Sequence, residues 1–177
     1  MRHRRGALVI VLMIVVLIFP LGANEAGAAK SGVAFSLASR AAASHKIRAV
    51  TVKEASRHYL SDVAPFATAR TGYETAFAQW HENRGAPSGT ASFVDPFVAA
   101  CRILDRKLKS QRWPSSARSD VRALEASVSV VAQDVLRLPS IDARTASAWG
   151  IALERDSAAS TADANRVRSD LGLPPAT

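Results

Sequence analysis

Residues 51–84 have the sequence TVKEASRHYLSDVAPFATARTGYETAFAQWHENR, and this stretch decides the fold class. Thr51 and Glu54 form a capping-box pattern, which predicts that a helix begins at Val52. A set of mostly apolar positions then recurs at alternating steps of four and three residues, which indicates one helical face turned towards a core. We call such a set of positions a stripe. Pro65 removes a backbone donor inside this helix and clashes with the preceding turn, so we expect a kink there. The stripe consists of Val52, Ser56, Tyr59, Val63, Phe66, Arg70, Tyr73, Phe77 and Trp80.

Two more stripes follow, each bounded by turn signals. The first helix is predicted to end near Gly85, and the second to begin with Asp95 as N-cap and Pro96 at its first position. The second helix should end at Trp113, and the third should run from Ser115 or Ser116 until Pro139 stops it. The inward positions are Phe97, Cys101, Leu104 and Leu108, and then Val121, Leu124, Val128, Val131, Val135 and Leu138.

A fourth helix completes the domain. It should begin at Ser140 or Asp142 and end at Gly172, a residue suited to the C-cap, before two prolines that forbid continuation. Four helices with short connections predict an all-α, up-down-up-down four-helix bundle, in which the first and fourth helices are the longest. The fourth stripe consists of Trp149, Leu153, Asp156, Ser160, Asp163, Val167 and Leu171.

Composition agrees with a helical chain. Of 177 residues, 34 are Ala and 6% are aromatic, and the single Cys excludes an intramolecular disulfide framework and a Cys-based zinc site. The formal net charge is +8, and the densest basic run lies between Arg102 and Arg112. We interpret that run as the solvated face of an amphipathic helix, with weak contact to an anionic membrane or wall polymer as the alternative. We expect no nucleic-acid partner, because an exported protein rarely meets nucleic acid.

The N-terminal segment predicts export. Residues 1–28 combine a positive start, an apolar run over 7–19 and a small-x-small cleavage pattern before Ala29, which is typical of a signal peptide. Retention of the segment as an N-terminal anchor is the alternative. Residues 29–50 are predicted to form a flexible tether, residues 51–172 the bundle and residues 173–177 a tail. Whether residues 1–28 are cleaved or retained, we expect a protein that is secreted or held at the extracytoplasmic face of the membrane.

Polar residues inside the stripes are the candidate site. Arg70 and Asp156 should stand at the same level on antiparallel neighbouring helices, which predicts a partly buried ion pair that fixes the register. Ligand binding by this pair is the alternative. A small polar cavity near Asp163, and an apolar pocket near Tyr73 and Trp149, are further speculative ligand sites beside the simpler reading of helix packing.

No catalytic, metal or cofactor site can be assigned from the sequence. The spacing of His and Glu residues does not match the inward Glu-x-x-His pairs of bundle metal sites, and no Walker, HExxH, GxSxG or GxGxxG pattern is present. Cys101 lies on an apolar stripe and is expected to be a small buried residue. The sequence therefore predicts a protein without catalytic activity, metal or cofactor.

Three short stretches also carry a resemblance. They are Tyr59-Leu60-x2-Val63-Ala64-Pro65, Trp113-Pro114 followed by Asp120-Val121-x2-Leu124, and Trp149 with Arg155-Asp156 and the ending Val167-Arg168-x2-Leu171-Gly172-Leu173-Pro174-Pro175. Over about residues 50–175 the chain resembles small exported helical proteins of Actinobacteria, many of them lipoproteins, although it lacks the Cys that would be lipidated. The resemblance implies a helical exported domain and no activity. We expect an envelope-associated or secreted interaction module of unknown partner, with a small-ligand carrier or sensor as the alternative.

Overall fold

The computed structural model describes residues 49–83, 85–86 and 89–176, and these form an all-α four-helix bundle, as predicted. The first and fourth helices are the longest, with 31 and 25 residues. The predicted signal peptide and all but the last two residues of the tether lie outside the described residues. In the described part of the chain, no helix is long and apolar enough to cross a membrane. The helices are α1 (Val52–Glu82), α2 (Ala91–Ser110), α3 (Arg118–Leu136) and α4 (Ala146–Asp170), with a 3₁₀ turn at Leu138–Ser140.

The helices run alternately up and down, and the closest packing is between helices consecutive in the chain. At the end where the described chain begins, which we call the proximal end, the ring of Tyr59 meets that of Trp113 edge-on at 6.5 Å. There Ser56 Oγ also donates to the carbonyl of Leu171 at 2.8 Å. At the opposite, distal end, Phe77 lies 6.1 Å from Trp149. These contacts place α1 antiparallel to both α2 and α4.

Most positions of the predicted stripes form the core of the bundle, but Val52, the first position of the first stripe, is exposed because it lies at the very start of α1. All six inward positions of the third helix are buried, and so are all four of the second. In the fourth helix Trp149, Val167 and Leu171 are buried, while Leu153 is partly buried and packs against the core. The three-four spacing therefore identified the inward faces, because residues at that spacing share one side of a helix.

Helix α1 begins as its capping pattern predicts. The backbone N–H of Glu54 donates to Thr51 Oγ1 at 3.2 Å. The helix continues through Pro65 to Glu82, and the kink expected at Pro65 stays a prediction. Beyond the helix, Gly85 lies under the Trp80 indole, whose Nε1–H donates to the carbonyl of Ala86 at 3.0 Å.

The predicted start of α2 is wrong. The helix begins at Ala91, so Asp95 and Pro96 lie inside it. The reason is tertiary packing, because Phe93 and Val94 are buried and Phe93 lies 6.4 Å from Trp80. One more helical turn places these two side chains in the core, and its benefit exceeds the cost of the single backbone bond that proline cannot make.

Helix α4 begins at Ala146, later than the predicted start at Ser140 or Asp142, because those residues form the turn before it, and its N-cap Thr145 makes no side-chain cap. Asp142 Oδ1 accepts from the backbone N–H of Arg144 at 3.0 Å and of Thr145 at 2.9 Å, which organises the turn before the helix. At the C-terminus, Gly172 has φ +66° and Leu173 N–H donates to the carbonyl of Arg168 at 2.8 Å. This is a Schellman motif, and it agrees with the predicted role of Gly172.

Candidate functional site

Arg70 and Asp156 stand at the predicted level but do not form the predicted ion pair. The α1–α4 contacts of Ser56 with Leu171 and of Phe77 with Trp149 set a register that brings position 70 level with position 156. Arg70 Nε instead pairs with Glu74 at 2.7 Å, one turn along its own helix. Helices α1 and α4 do not pack closely against each other, so Arg70 pairs with Glu74 and Asp156 pairs with Arg155.

Tyr73 and Trp149 belong to one aromatic cluster at the distal end. Tyr73 lies 4.9 Å from Phe97 and 5.9 Å from Phe77, and Phe77 in turn lies 6.1 Å from Trp149. The Trp149 Nε1–H donates to the carbonyl of Asp134 at 2.8 Å. Offset and tilted ring pairs of this kind stabilise a core beyond the area that they bury. The structure thus brings these two predicted site residues together through Phe77.

One polar atom of that cluster is not satisfied within the described chain. The hydroxyl oxygen of Tyr73 is buried and has no hydrogen-bond partner. Burial raises the pKa of this phenol well above its ordinary value, and the nearby Glu74 carboxylate raises it further. A buried hydroxyl without a partner costs free energy, so this atom is the point of the cluster most suited to a polar group of a ligand.

Asp163 is buried and takes a local partner. Its Oδ1 accepts from Arg166 Nη2, one turn further along α4. The same guanidinium reaches across to α3, where Arg166 Nε lies 3.6 Å from Asp120 Oδ1. Arg166 therefore joins carboxylates of two helices, and Asp163 belongs to a polar seam between α3 and α4.

Two carboxyl–carboxyl pairs define this seam, and sequence reasoning missed them as pairs. Asp134 of α3 lies against Asp156 of α4, and Asp120 of α3 lies against Asp170 of α4. The pairs are fourteen residues apart on each helix, with Asp163 midway on α4. Because seven residues make almost two helical turns, each helix presents these positions on one stripe. The sequence did contain a signal, since Asp156, Asp163 and Asp170 recur every seven residues.

In each pair, the acid nearer a helix C-terminus has a raised pKa. Burial raises the pKa of Asp134, and the hydrogen bond and charge of Asp156 raise it further. Burial likewise raises the pKa of Asp170, helped by the charge of Asp120. Asp156 has a lowered pKa, first because Arg155 binds it at 2.7 Å and also because Asp134 can donate to it. The Asp134–Asp156 pair can therefore share one proton across the helix interface.

Other reactive groups are sparse in the described part of the chain. Cys101 is buried, and burial raises the pKa of its thiol to about 12, which keeps it protonated and weakly nucleophilic. Among the described residues, no group of three or more His, Cys, Asp or Glu side chains could hold a metal ion.

The outward face of α2 is strongly basic, and so is Arg112, the second residue after the helix. Residues 102–112 contain five basic residues and one acid, and all five basic side chains are exposed. Lys109 pairs with that acid, Asp105, at 2.8 Å. Within the described chain the other four form no ion pair. They are Arg102, Arg106, Lys107 and Arg112.

The positive charge is concentrated at the proximal end. We define the proximal half as residues 49–66, 102–127 and 160–176, and it contains eleven basic and seven acidic residues. The distal half, residues 67–83, 85–86, 89–101 and 128–159, contains four basic and seven acidic residues. The bundle is therefore polarised along its axis, and the basic face of α2 supplies most of the excess.

No protein-family model, curated protein or solved structure matches this chain. The resemblance to small exported helical proteins of Actinobacteria therefore stays a prediction.

Proposed function

We propose that this chain is an exported, non-catalytic interaction module that contacts an anionic component of the cell envelope. The observation that carries the proposal is the exposed basic face of α2, in which Arg102, Arg106 and Lys107 have no ion-pair partner among the described residues, as is true of Arg112 just after the helix. A cluster of unpaired charges of one sign attracts surfaces of the opposite sign. Export rests on the signal-peptide pattern of residues 1–28.

The test is fractionation of cells that produce and export the full chain. We expect the exported chain, tested after removal of residues 1–28, to be retained by the envelope pellet in low salt and released by about 0.5 M salt, because salt then limits charge–charge attraction to a few ångströms. Arg102→Glu combined with Arg106→Glu should abolish retention. Arg137→Glu combined with Arg144→Glu makes the same change of charge at exposed distal positions and serves as the matched control.

Two outcomes would contradict the proposal. One is a chain that stays in the cytoplasm. The other is retention that neither salt nor the α2 double substitution changes, because that result would remove the basic face from the interaction.

A carrier or sensor of a small ligand is the second candidate, and the unsatisfied Tyr73 hydroxyl favours it. A ligand that binds between the helices should hydrogen-bond this atom, because the atom has no partner in the described chain. Native mass spectrometry of the exported chain would then show an added mass that is lost on denaturation. Tyr73→Phe should abolish that added mass while leaving the fold intact, whereas a bare chain mass would contradict the carrier.

A further inference from the structure

We propose that the basic face of α2 is a docking surface for anionic phospholipid, so that the bundle lies on the outer surface of the membrane through α2. This inference rests on the proposed function and deepens it by choosing one partner. Soluble anionic polymers become an outcome of the test.

The face has the arrangement of a membrane-surface helix. Cys101, Leu104 and Leu108 face the core and are buried, so the opposite side of α2 points outward. On that side Arg102 and Arg106 are one turn apart, and Ile103 lies beside them. A helix with basic residues around an exposed apolar side chain suits the boundary between phosphate headgroups and acyl chains.

Ile103 is the observation that favours lipid over a soluble polymer. Its side chain is 47% exposed although it is apolar, and Arg102, Arg106 and Lys107 surround it in the sequence. A polyanion in water would gain nothing from this side chain. A bilayer would gain by removing it from water, at about 25 cal/mol for each Å² of apolar surface buried.

The acids nearest this face are already engaged. Asp105 binds Lys109 on α2 itself, and Asp62 of α1 accepts a hydrogen bond from Gln111. Burial raises the pKa of Glu125 of α3, and the positive charge of nearby Lys109 acts in the opposite direction. These acids lie beside the basic face and do not neutralise Arg102 or Arg106.

The course of the chain also favours the membrane. The described chain begins at Ala49, at the proximal end, where the basic excess lies. The preceding residues 29–48 contain four basic residues and no acid, and they follow the apolar run over 7–19. A basic segment of this kind next to an apolar segment attracts anionic lipid headgroups, at about 1 kcal/mol for each basic residue near the surface.

The experiment places an environment-sensitive dye on the exported chain in whichever N-terminal form its host produces. Ser110→Cys puts the dye on the outward side of α2, and Ser147→Cys puts it at an exposed position of the distal end. Cys101 does not compete for the label, because it is buried and its thiol pKa is about 12. The probes are vesicles with about one-third phosphatidylglycerol and vesicles of phosphatidylcholine alone.

We expect a blue-shifted, brighter dye at position 110 with anionic vesicles only, and no change at position 147. This readout is independent of whether the apolar N-terminal run is still attached, because that run would bind both kinds of vesicle. Arg102→Gln with Arg106→Gln should weaken vesicle binding, and with it the dye response, about 30-fold, because the loss of each positive charge weakens binding about fivefold. Arg137→Gln with Arg144→Gln is the matched control and should leave the response unchanged. Far-ultraviolet circular dichroism checks that each variant is folded.

Ile103→Ser separates lipid from polymer. It should weaken vesicle binding several-fold and leave binding to inorganic polyphosphate unchanged. Binding to polyphosphate without any vesicle response would overturn the lipid assignment while leaving an anionic envelope partner in place. A dye response at position 147, or an equal response with phosphatidylcholine, would also overturn the docking surface. Binding to neither probe would overturn the lipid assignment, and loss of envelope retention as well would contradict the proposed function.

Discussion

Glycine is required at position 85 because the Trp80 indole packs directly against the backbone there, a contact that the neighbouring sequence does not predict. A Cβ atom at this position would overlap Cδ1 and Nε1 of the Trp80 indole, well inside van der Waals contact. The indole cannot rotate away freely, because its Nε1–H donates to the carbonyl of Ala86 at 3.0 Å and its ring packs against Phe77 at 5.8 Å. A residue without a Cβ atom is therefore required at this position for steric reasons.

Gly85→Ala should lower the free energy of unfolding by about 1–3 kcal/mol, the usual cost of overpacking. The control is Gly89→Ala, because a Cβ at that position meets nothing within 4 Å. Chemical denaturation of the three proteins measures the difference. Equal stability of the Gly85→Ala variant and the parent would show that the Trp80 indole is free to move.

Asp170→Asn should stabilise the fold at pH 7. Asp170 is the last residue of α4, where the helix dipole disfavours negative charge. Its carboxyl group also lies against that of Asp120. A neutral amide removes that repulsion and can donate to Asp120, which is worth about 1 kcal/mol. Asp95→Asn, at an exposed position of α2, is the control for loss of charge alone.

The advantage of Asp170→Asn should depend on pH. The folded-state pKa of Asp170 is raised, so the folded wild type binds its proton more tightly than the unfolded chain does. The contribution of Asp170 to the free energy of unfolding of the wild type is therefore fully present below the pKa that the group has in the unfolded chain. It is lost as pH rises through the pKa that the group has in the folded chain. The gap between variant and wild type should be widest at pH 7 and narrow towards pH 4, as measured by denaturation in urea. A gap independent of pH would contradict this assignment.

Arg70 marks the limit of residue-level reasoning from sequence. The heptad spacing correctly placed it level with Asp156, since level depends only on helix rise and direction. Partner choice depends on the distance between helices and on competing groups. Glu74, four residues along the same helix, is a nearer partner at 2.7 Å. The carboxyl pairs were missed for the related reason that like charges are not expected to face each other.

At the scale of the helices, the three-four periodicity predicted which faces are buried, but it did not predict where every helix begins. The inward stripes of α2 and α3 are buried as predicted, because burial follows from spacing. The start of α2 was wrong because the Asp95–Pro96 signal is local, while the burial of Phe93 and Val94 against α1 is not. The start of α1 was correct because there the local signal and the packing agree.

Helices α1 and α4 each contain a glycine that the fold does not require. A Cβ at Gly72 or at Gly150 would meet nothing within 4 Å, and neither residue has a positive φ. Because glycine in a helix interior loses more backbone entropy than alanine, each Gly→Ala change should raise the free energy of unfolding by about 0.5–1 kcal/mol. Thermal unfolding of the single and double variants measures this. A destabilised Gly72→Ala variant would indicate that the α1 surface around it contacts something outside the described residues.

At the scale of the whole molecule, the chain order determines which helices support one another. The helix count and the alternating directions followed from four stripes and short connections. What the sequence could not specify is that closure of the bundle between α1 and α4 depends on isolated side chains. One is Ser56, whose Oγ donates to the carbonyl of Leu171 at 2.8 Å, and another is Tyr59, whose hydroxyl donates to that of Ala164 at 3.4 Å.

This asymmetry predicts that α1 opens before α3. Helix α3 packs closely against both α2 and α4, whereas α1 packs closely against α2 alone. Native-state hydrogen exchange should therefore give α1 amides a lower opening free energy than α3 amides, whose exchange should report global unfolding. Ser56→Ala should speed α1 exchange about fivefold, the value of one hydrogen bond of about 1 kcal/mol, and should speed α3 exchange by the same factor, because global unfolding breaks the same bond. Ser61→Ala, at an exposed position of the same helix, controls for helix propensity. A common opening free energy for α1 and α3 would mean that the α1–α4 contacts close the bundle as firmly as the other three interfaces do.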